Sequence, residues 1–237
     1  MLIRITNKCT MGCNHCVVEA SPSGAHMSAE VFDATLDWMQ RLNLLRLLLI
    51  SGGEPTEHPD LLQFLARAYP YFTVFLLSNG EFLHADKQFR DRVLAVVHVV
   101  QVTNDSRYYP RYVPDFDHPR VTFERHISTF TSMGRAKSLS IPSNRKAPFC
   151  FNVRSLTRNT GSVATSINAL TLKRKACSPS VNIDGSVSAG EMPFCSKVGT
   201  VYDSDAKITK NLLQLKCSRC GLIDKLSDEY KAAVGEL

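Results

Sequence analysis

Four short apolar runs alternate with amphipathic stretches through the first hundred residues, and that rhythm limits the possible folds more than any other feature of the chain. The runs are Leu2–Thr6, Leu47–Ile50, Thr73–Leu77 and Val97–Val102. Nearly continuous apolar runs of this length read as strands buried on both faces, the pattern of a parallel sheet. Between them lie helix signals. Ser28 can cap a helix with Phe32, Leu36 and Met39 on one face, beside Val31, Trp38 and Leu42. Pro59 suits the first turn of a second, whose apolar side is Leu61, Leu62, Phe64 and Leu65, and a third spans Asp86 to Val96. Beyond Asp105 the rhythm weakens, since Tyr108, Tyr109, Pro110 and Pro114 argue for a loop, and only Val121–Glu124 and Ile127–Thr131 suggest further strands. Four firm βα units and two weak ones are too few for an eight-fold barrel. The expected fold is α/β, a partial, open βα barrel of TIM-like type.

At 237 residues, with 44% apolar and 21% charged residues, the chain has the makings of one large domain with a smaller module appended. Composition shifts towards Ser, Thr, Asn and Lys after about residue 145, and five of the eight cysteines lie there. We therefore expect a barrel over 1–145 and a small cysteine-rich module over 146–237. The net charge of +6 is dispersed, and its densest patch, Lys173-Arg174-Lys175, reads as a solvated loop. Met1 leads straight into a strand with no signal-peptide pattern, and Leu47–Ile50 is far too short to span a bilayer, so a cytoplasmic protein without membrane contact is expected. In a reducing compartment, clustered cysteines are better explained by metal or iron–sulfur ligation than by disulfides.

Cys9, Cys13 and Cys16 put three thiols in eight residues, at intervals of four and three. Such a loop can wrap three corners of one iron–sulfur cubane and leave the fourth iron open to chelate a small molecule. Structural zinc or simple core packing are the alternatives. Zinc normally takes four protein ligands, and His15, wedged between Asn14 and Cys16, would strain the loop as the fourth. After the second strand, Gly52-Gly53-Glu54-Pro55 forms a turn at a strand C-terminus, where βα folds build their sites and where glycines let backbone approach a ligand. Glu54 would add negative charge there.

These two motifs together resemble the radical S-adenosylmethionine (SAM) superfamily, whose signature is Cys-x₃-Cys-x₂-Cys after the first strand of a partial βα barrel. The resemblance implies a 4Fe–4S cluster on Cys9, Cys13 and Cys16 that binds SAM. It implies that His15 lies against the adenine and that Gly52, Gly53, Glu54 and Pro55 receive the methionine ammonium. Ser78 and Asn79 after the third strand, and Thr103 with Asn104 and Asp105 after the fourth, match positions near the SAM methionine and ribose. Arg135, in Gly134-Arg135-Ala136, is similar to an arginine that approaches SAM. Arg125, Arg135 and Asp105, with Tyr108 and Tyr109, are the candidates for acid–base or binding work in the pocket.

The tail holds Cys177, Cys195, Cys217 and Cys220, four thiols that complete a metal site. Val181 to Val187 reads as a hairpin around Asp184-Gly185. On residues alone the Cys217-x-x-Cys220 pair fits a redox pair, a zinc half-site or half of a cluster site. The layout is similar to the twitch and SPASM modules of radical SAM enzymes, which implies a second, auxiliary 4Fe–4S cluster without an open iron. An oxidative reaction on a small metabolite or peptide follows from that resemblance, with a flavodoxin or ferredoxin as one-electron donor. Modification of a nucleotide or nucleic acid, and a non-catalytic metal-binding module, are the alternatives. Cys150 stands outside the pattern as a buried thiol.

Overall fold

The computed structural model describes residues 1–41, 46–127, 134–139, 179–191, 193 and 195–213. Eight strands form one sheet: β1 (Leu2–Thr6), β2 (Leu47–Gly52), β3 (Thr73–Ser78), β4 (Val99–Thr103), β5 (Val121–Glu124), β6 (Ser180–Val181), β7 (Ser186–Ser188) and β8 (Lys197–Thr200). Their order is β5-β4-β3-β2-β1-β6-β7-β8. From β5 to β6 every pairing is parallel, and β7 and β8 are added antiparallel. Among the described residues five α-helices accompany the sheet: α1 (Ala29–Arg41), α2 (Leu61–Ala68), α3 (Phe82–Ala85), α4 (Lys87–Ala95) and α5 (Asp205–Leu213). Among the described residues the sheet is open, with β5 and β8 as its edges.

Side-chain alternation gives the sheet two faces. Ile3, Ile5, Leu48, Ile50, Val74, Leu76, Val100 and Val102 join one core with Phe32, Trp38, Phe64, Leu65 and Val93 from the helices. Phe32 and Phe64 stack with their centroids 4.1 Å apart, which fixes α1 against α2. Each apolar side chain withdrawn from water contributes about 1.5–3 kcal/mol, so this face carries most of the stabilisation. The intervening positions Leu49, Ser51, Phe75, Leu77, Gln101 and Thr103 are only half-buried and line the other face, the interior of the partial barrel. The expected strands therefore form, but β2, β3 and β4 are not buried on both sides.

Local chemistry sets the helix starts. The Ser28 hydroxyl accepts from Val31 N at 3.2 Å, and the Asp86 carboxylate accepts from Gln88 N at 2.8 Å and Phe89 N at 3.1 Å. The fourth strand begins at Val99 rather than Val97, because Val97 packs in the core while His98 Nδ1 accepts from Val74 N at 3.1 Å. Ile127 is not in a strand, and 128–131 lie outside the described residues. The hairpin forms around Gly185 at φ +75°, with Asp184 accepting from Ser186 N at 2.9 Å. Its first strand, β6, lies parallel beside β1, so this part of the expected C-terminal module continues the barrel sheet.

Candidate functional site

The three N-terminal cysteines sit on a loop between β1 and α1 that folds back on itself. Asn7 N donates to Ala25 O at 2.8 Å, Cys9 N to Ser21 O at 2.9 Å, and Ser21 N to Asn7 O at 3.1 Å. Cys9 and Cys13 are buried in a small apolar nest with Met11, Ala20 and Val113, flanked by Cys16, Val18, Tyr109 and Phe123. Burial raises both thiols, Cys13 to about 12, and the neighbouring cysteines raise them further. A bare thiolate is disfavoured there, whereas a bound cation would compensate its charge, so the pocket suits metal ligation. Among the described residues no three His, Cys, Asp or Glu side chains converge on one point as a mononuclear site requires. A cubane asks for something else, because each thiolate bonds a different iron.

Two further segments hold this loop. The Arg135 guanidinium donates from Nε to Cys13 O and from NH1 to Ala20 O, both at 2.8 Å, while Arg135 N donates to Cys16 O at 3.0 Å. Gly134, at φ +52°, lies so close that a Cβ would be 2.5 Å from Cys16 O. On the other side Glu57 Oε1 accepts from Thr10 N at 2.7 Å and Thr10 Oγ1 at 2.9 Å. Arg135 thus reaches the cluster loop through its carbonyls and lowers the Cys13 thiol electrostatically, against the larger effect of burial.

The Gly52–Pro55 turn abuts the same loop, and the reason for its glycines is the chain itself. Gly53 N donates to Thr6 O at 2.7 Å and Glu54 N to Lys8 O at 2.8 Å. A Cβ on Gly53 would stand 2.1 Å from Lys8 O, and one on Gly52, at φ +146°, 2.2 Å from Thr6 O. Glu54 is 2% exposed. Its Oε1 accepts from Thr56 N at 3.1 Å, Thr56 Oγ1 at 2.7 Å and Ser78 Oγ at 2.9 Å, and its Oε2 from Asn79 N at 2.7 Å. Burial pushes the carboxyl up while these donors hold it down. Glu54 therefore ties the β2 and β3 turns together. Pro55 is buried and opens the short 3₁₀ turn Pro55–Glu57. Asn79 Oδ1 accepts from Glu81 N at 2.8 Å, and its buried Nδ2 has no partner among the described residues. An orphaned buried amide beside this turn fits a ligand acceptor such as the SAM carboxylate.

The loop after β4 closes the remaining side. The His15 ring lies 4.8 Å from that of Tyr109 and 5.6 Å from that of Tyr108, and burial lowers its pKa. Asp105 accepts from Arg107 NH2 at 2.5 Å and from Ile127 N at 2.9 Å, and the guanidinium holds its carboxyl far below the usual range. Asn104, buried, donates to Arg111 O at 3.1 Å and accepts from Val113 N at 3.1 Å. Arg125 pairs with Asp115, reaches Asn104 O at 3.3 Å and lies over Phe123. Thr103 is half-buried at the end of β4, opposite Glu124. Cys195 lies half-buried between β7 and β8, and Cys150, Cys177, Cys217 and Cys220 lie outside the described residues. Glu57 and Arg107 were not foreseen as parts of this site. Their sequence neighbourhoods are ordinary polar turns.

The sequence model of the radical SAM superfamily matches residues 3–136, more than half of the chain. The chain belongs to the radical SAM superfamily. As a radical SAM enzyme it uses a 4Fe–4S cluster and SAM. In fold it is similar to BtrN, whose crystal structure in complex with AdoMet and 2-DOIA aligns with a TM-score of 0.56 at 13% identity, over 91% of this chain and 85% of that one. BtrN in an open conformation aligns with a TM-score of 0.55 at 17% identity, over 94% and 86%. Streptococcus suis SuiB bound to S-adenosylmethionine gives a TM-score of 0.41 at 11% identity, over 94% and 70%. No curated protein sequence matches. Among the described residues, no helix is long and apolar enough to cross a membrane.

Proposed function

We propose that this radical SAM enzyme is an oxidative one, acting in the cytoplasm as a dehydrogenase or cross-linking enzyme on a small metabolite or peptide. Cys9, Cys13 and Cys16 would hold the cluster, which would supply one-electron reductive cleavage of SAM and, through it, hydrogen abstraction from the substrate. The protein's own residues supply placement. Arg135 and Glu57 grip the cysteine loop from opposite sides. Gly52, Gly53 and Pro55 set the turn beside it, with Glu54 bracing that turn to Ser78 and Asn79, whose spare amide would donate to the SAM carboxylate. His15, neutral and beside Tyr108 and Tyr109, offers a flat face for the adenine, and Thr103 lies at the rim. Asp105 and Arg125 act by fixing the loop that carries the tyrosines, since both charges are already engaged.

The observation that most supports an oxidative outcome is the seat of Cys195. β6 pairs with β1, and the Cys195 thiol lies within electrostatic reach of Arg4 on β1, the strand that leads into the cluster loop. Cys177, Cys195, Cys217 and Cys220 would hold a second 4Fe–4S cluster, whose contribution would be to take up the second electron of a two-electron oxidation. A flavodoxin or ferredoxin serves as donor for the first cluster.

Anaerobic reconstitution tests the reading. About eight irons per chain, and a product lighter by two hydrogens with transfer of substrate deuterium into 5′-deoxyadenosine, are expected. Stable zinc in the tail, or a product with no net loss of hydrogen, overturns it.

A further inference from the structure

Arg4 is the one charged side chain of the apolar strand β1, and none of the roles above accounts for its position. Ile3 and Ile5 on either side of it enter the helix-side core, so Arg4 faces the interior of the partial barrel. There it stands in register with Ser51, the residue before the Gly52–Pro55 turn, and it is only 7% exposed. Burying a guanidinium costs several kcal/mol unless partners compensate it, and an apolar residue would serve a strand equally well.

Its surroundings are a prearranged set of hydrogen-bonding groups. NH1 donates to Ser180 Oγ at 3.2 Å and to Asn182 Oδ1 at 3.0 Å, and NH2 donates to Glu191 O. Those acceptors are themselves fixed. Ser180 Oγ donates to Gly190 O at 2.9 Å, and Asn182 Nδ2 donates to Ser186 Oγ at 3.1 Å and Ser188 Oγ at 3.0 Å. The fork is therefore held in one orientation by a second layer of bonds. Three of its five N–H groups are engaged; the other two have no partner among the described residues. Burial lowers the pKa of Arg4, and Glu191 and Cys195, the ionisable groups that act on it, partly offset this by favouring its charge.

We propose that Arg4 anchors an anionic oxygen group, a carboxylate or a phosphate, of the molecule taken into the barrel interior. This rests on the reading that a small-molecule or peptide substrate binds there, and it narrows the class. An oriented guanidinium matches two oxygens of one planar or tetrahedral anion, and it repels a protonated amine at the same level. Along β1 the guanidinium's strand position lies two residues, about 7 Å, before Thr6, whose carbonyl receives the Gly53 N–H. The anion would thus be fixed below the SAM-binding level, leaving the remainder of the substrate to point upward.

The test uses the full chain, reconstituted anaerobically, with malonate and inorganic phosphate as probes and methylammonium as the cationic control. Calorimetry should show one of the two anions binding, and which one binds distinguishes a carboxylate from a phosphate substrate. Arg4→Gln should weaken that binding by about tenfold or more, and Arg4→Lys should retain part of it. The double variant Ser180→Ala, Asn182→Ala keeps the charge and removes the bonds that orient the fork, so anion binding should weaken in it yet stay tighter than in Arg4→Gln. Absence of anion binding to the parent protein, equal binding to Arg4→Gln, or binding by the double variant no tighter than by Arg4→Gln overturns the proposal. So does a loss of SAM affinity in Arg4→Gln with anion binding unchanged, which would make Arg4 a cofactor residue. Formation of 5′-deoxyadenosine by the parent protein is measured alongside. If it is present while Arg4→Gln binds anions as the parent does, this inference alone fails; if it is absent, the reading of the site fails first.

Discussion

Replacing Gly53 by alanine tests whether the Gly52–Pro55 turn is glycine-rich for the sake of its own chain. The added Cβ would lie 2.1 Å from the Lys8 carbonyl oxygen, 2.7 Å from its carbon and 3.0 Å from Asn7 C, all backbone atoms that cannot swing aside. Gly53 has no positive φ, so the whole penalty comes from the clash. Relief requires the turn and the β1 extension to part by about 1 Å, which breaks the Gly53 N–Thr6 O and Glu54 N–Lys8 O bonds that span the gap. Two backbone bonds at about 1 kcal/mol each, with about 1–3 kcal/mol of overpacking, give a loss of about 3–5 kcal/mol. That is a large share of the roughly 5–15 kcal/mol that holds a domain together. Gly12 is the control. It has φ +72° and nothing within 4 Å of a Cβ, so Gly12→Ala should cost only the about 1–2 kcal/mol of a left-handed alanine. Urea unfolding of iron-free protein, followed by the fluorescence of the single, buried Trp38, measures both. A Gly53→Ala loss no greater than that of Gly12→Ala would refute the reasoning, because a glycine needed for ligand approach alone would leave the apo fold intact.

Two other perturbations follow from the same geometry. Arg135→Ala removes the bonds to Cys13 O and Ala20 O, and Arg135→Lys cannot span both carbonyls, so both variants should hold less iron per chain than the parent after identical reconstitution. Full iron loading in both would show that the clamp is dispensable. His58 is buried, with Nε2 on Met27 O and Nδ1 accepting from Asp60 N, and its pKa lies below 6.5 mainly because of burial, with His26 beside it. A folded pKa below the unfolded one means its contribution is intact above about pH 6.5 and declines as pH falls through that value. Unfolding midpoints near pH 7.5 and pH 5.5 should therefore differ more in the parent than in His58→Asn. An equal difference in both would place the acid sensitivity elsewhere.

Much of the fold was legible because its strands are written in Leu, Ile and Val and its helices in regular apolar spacing. What periodicity could not tell was that one face of β2, β3 and β4 stays half-open, since an apolar interior wall and a core wall look alike in sequence. The cysteine loop was legible from spacing, whereas Glu57 was not foreseen and Arg135, expected near SAM, holds the loop's carbonyls. Glu57 and Arg135 reach it from turns far along the chain, and only the tertiary fold brings them there. For Gly52 and Gly53 the sequence suggested room for a ligand, whereas in the structure the backbone that approaches them is Thr6–Lys8. Arg4 left a visible signal, a charge inside an apolar strand, whose meaning needed the pairing of β1 with β6. Asp105 and Arg125 illustrate the reverse, since a charged residue after a strand reads as reactive until its ion pair is seen.

The most direct test of the central assignment is SAM cleavage by a variant in which Cys177, Cys195, Cys217 and Cys220 are all replaced. Reconstituted anaerobically, it should hold about four irons and produce 5′-deoxyadenosine under a strong reductant, and a further Cys13→Ala substitution should abolish both. A variant that holds its iron yet makes no 5′-deoxyadenosine, or one that still makes it without Cys13, would contradict the assignment of the cluster to Cys9, Cys13 and Cys16.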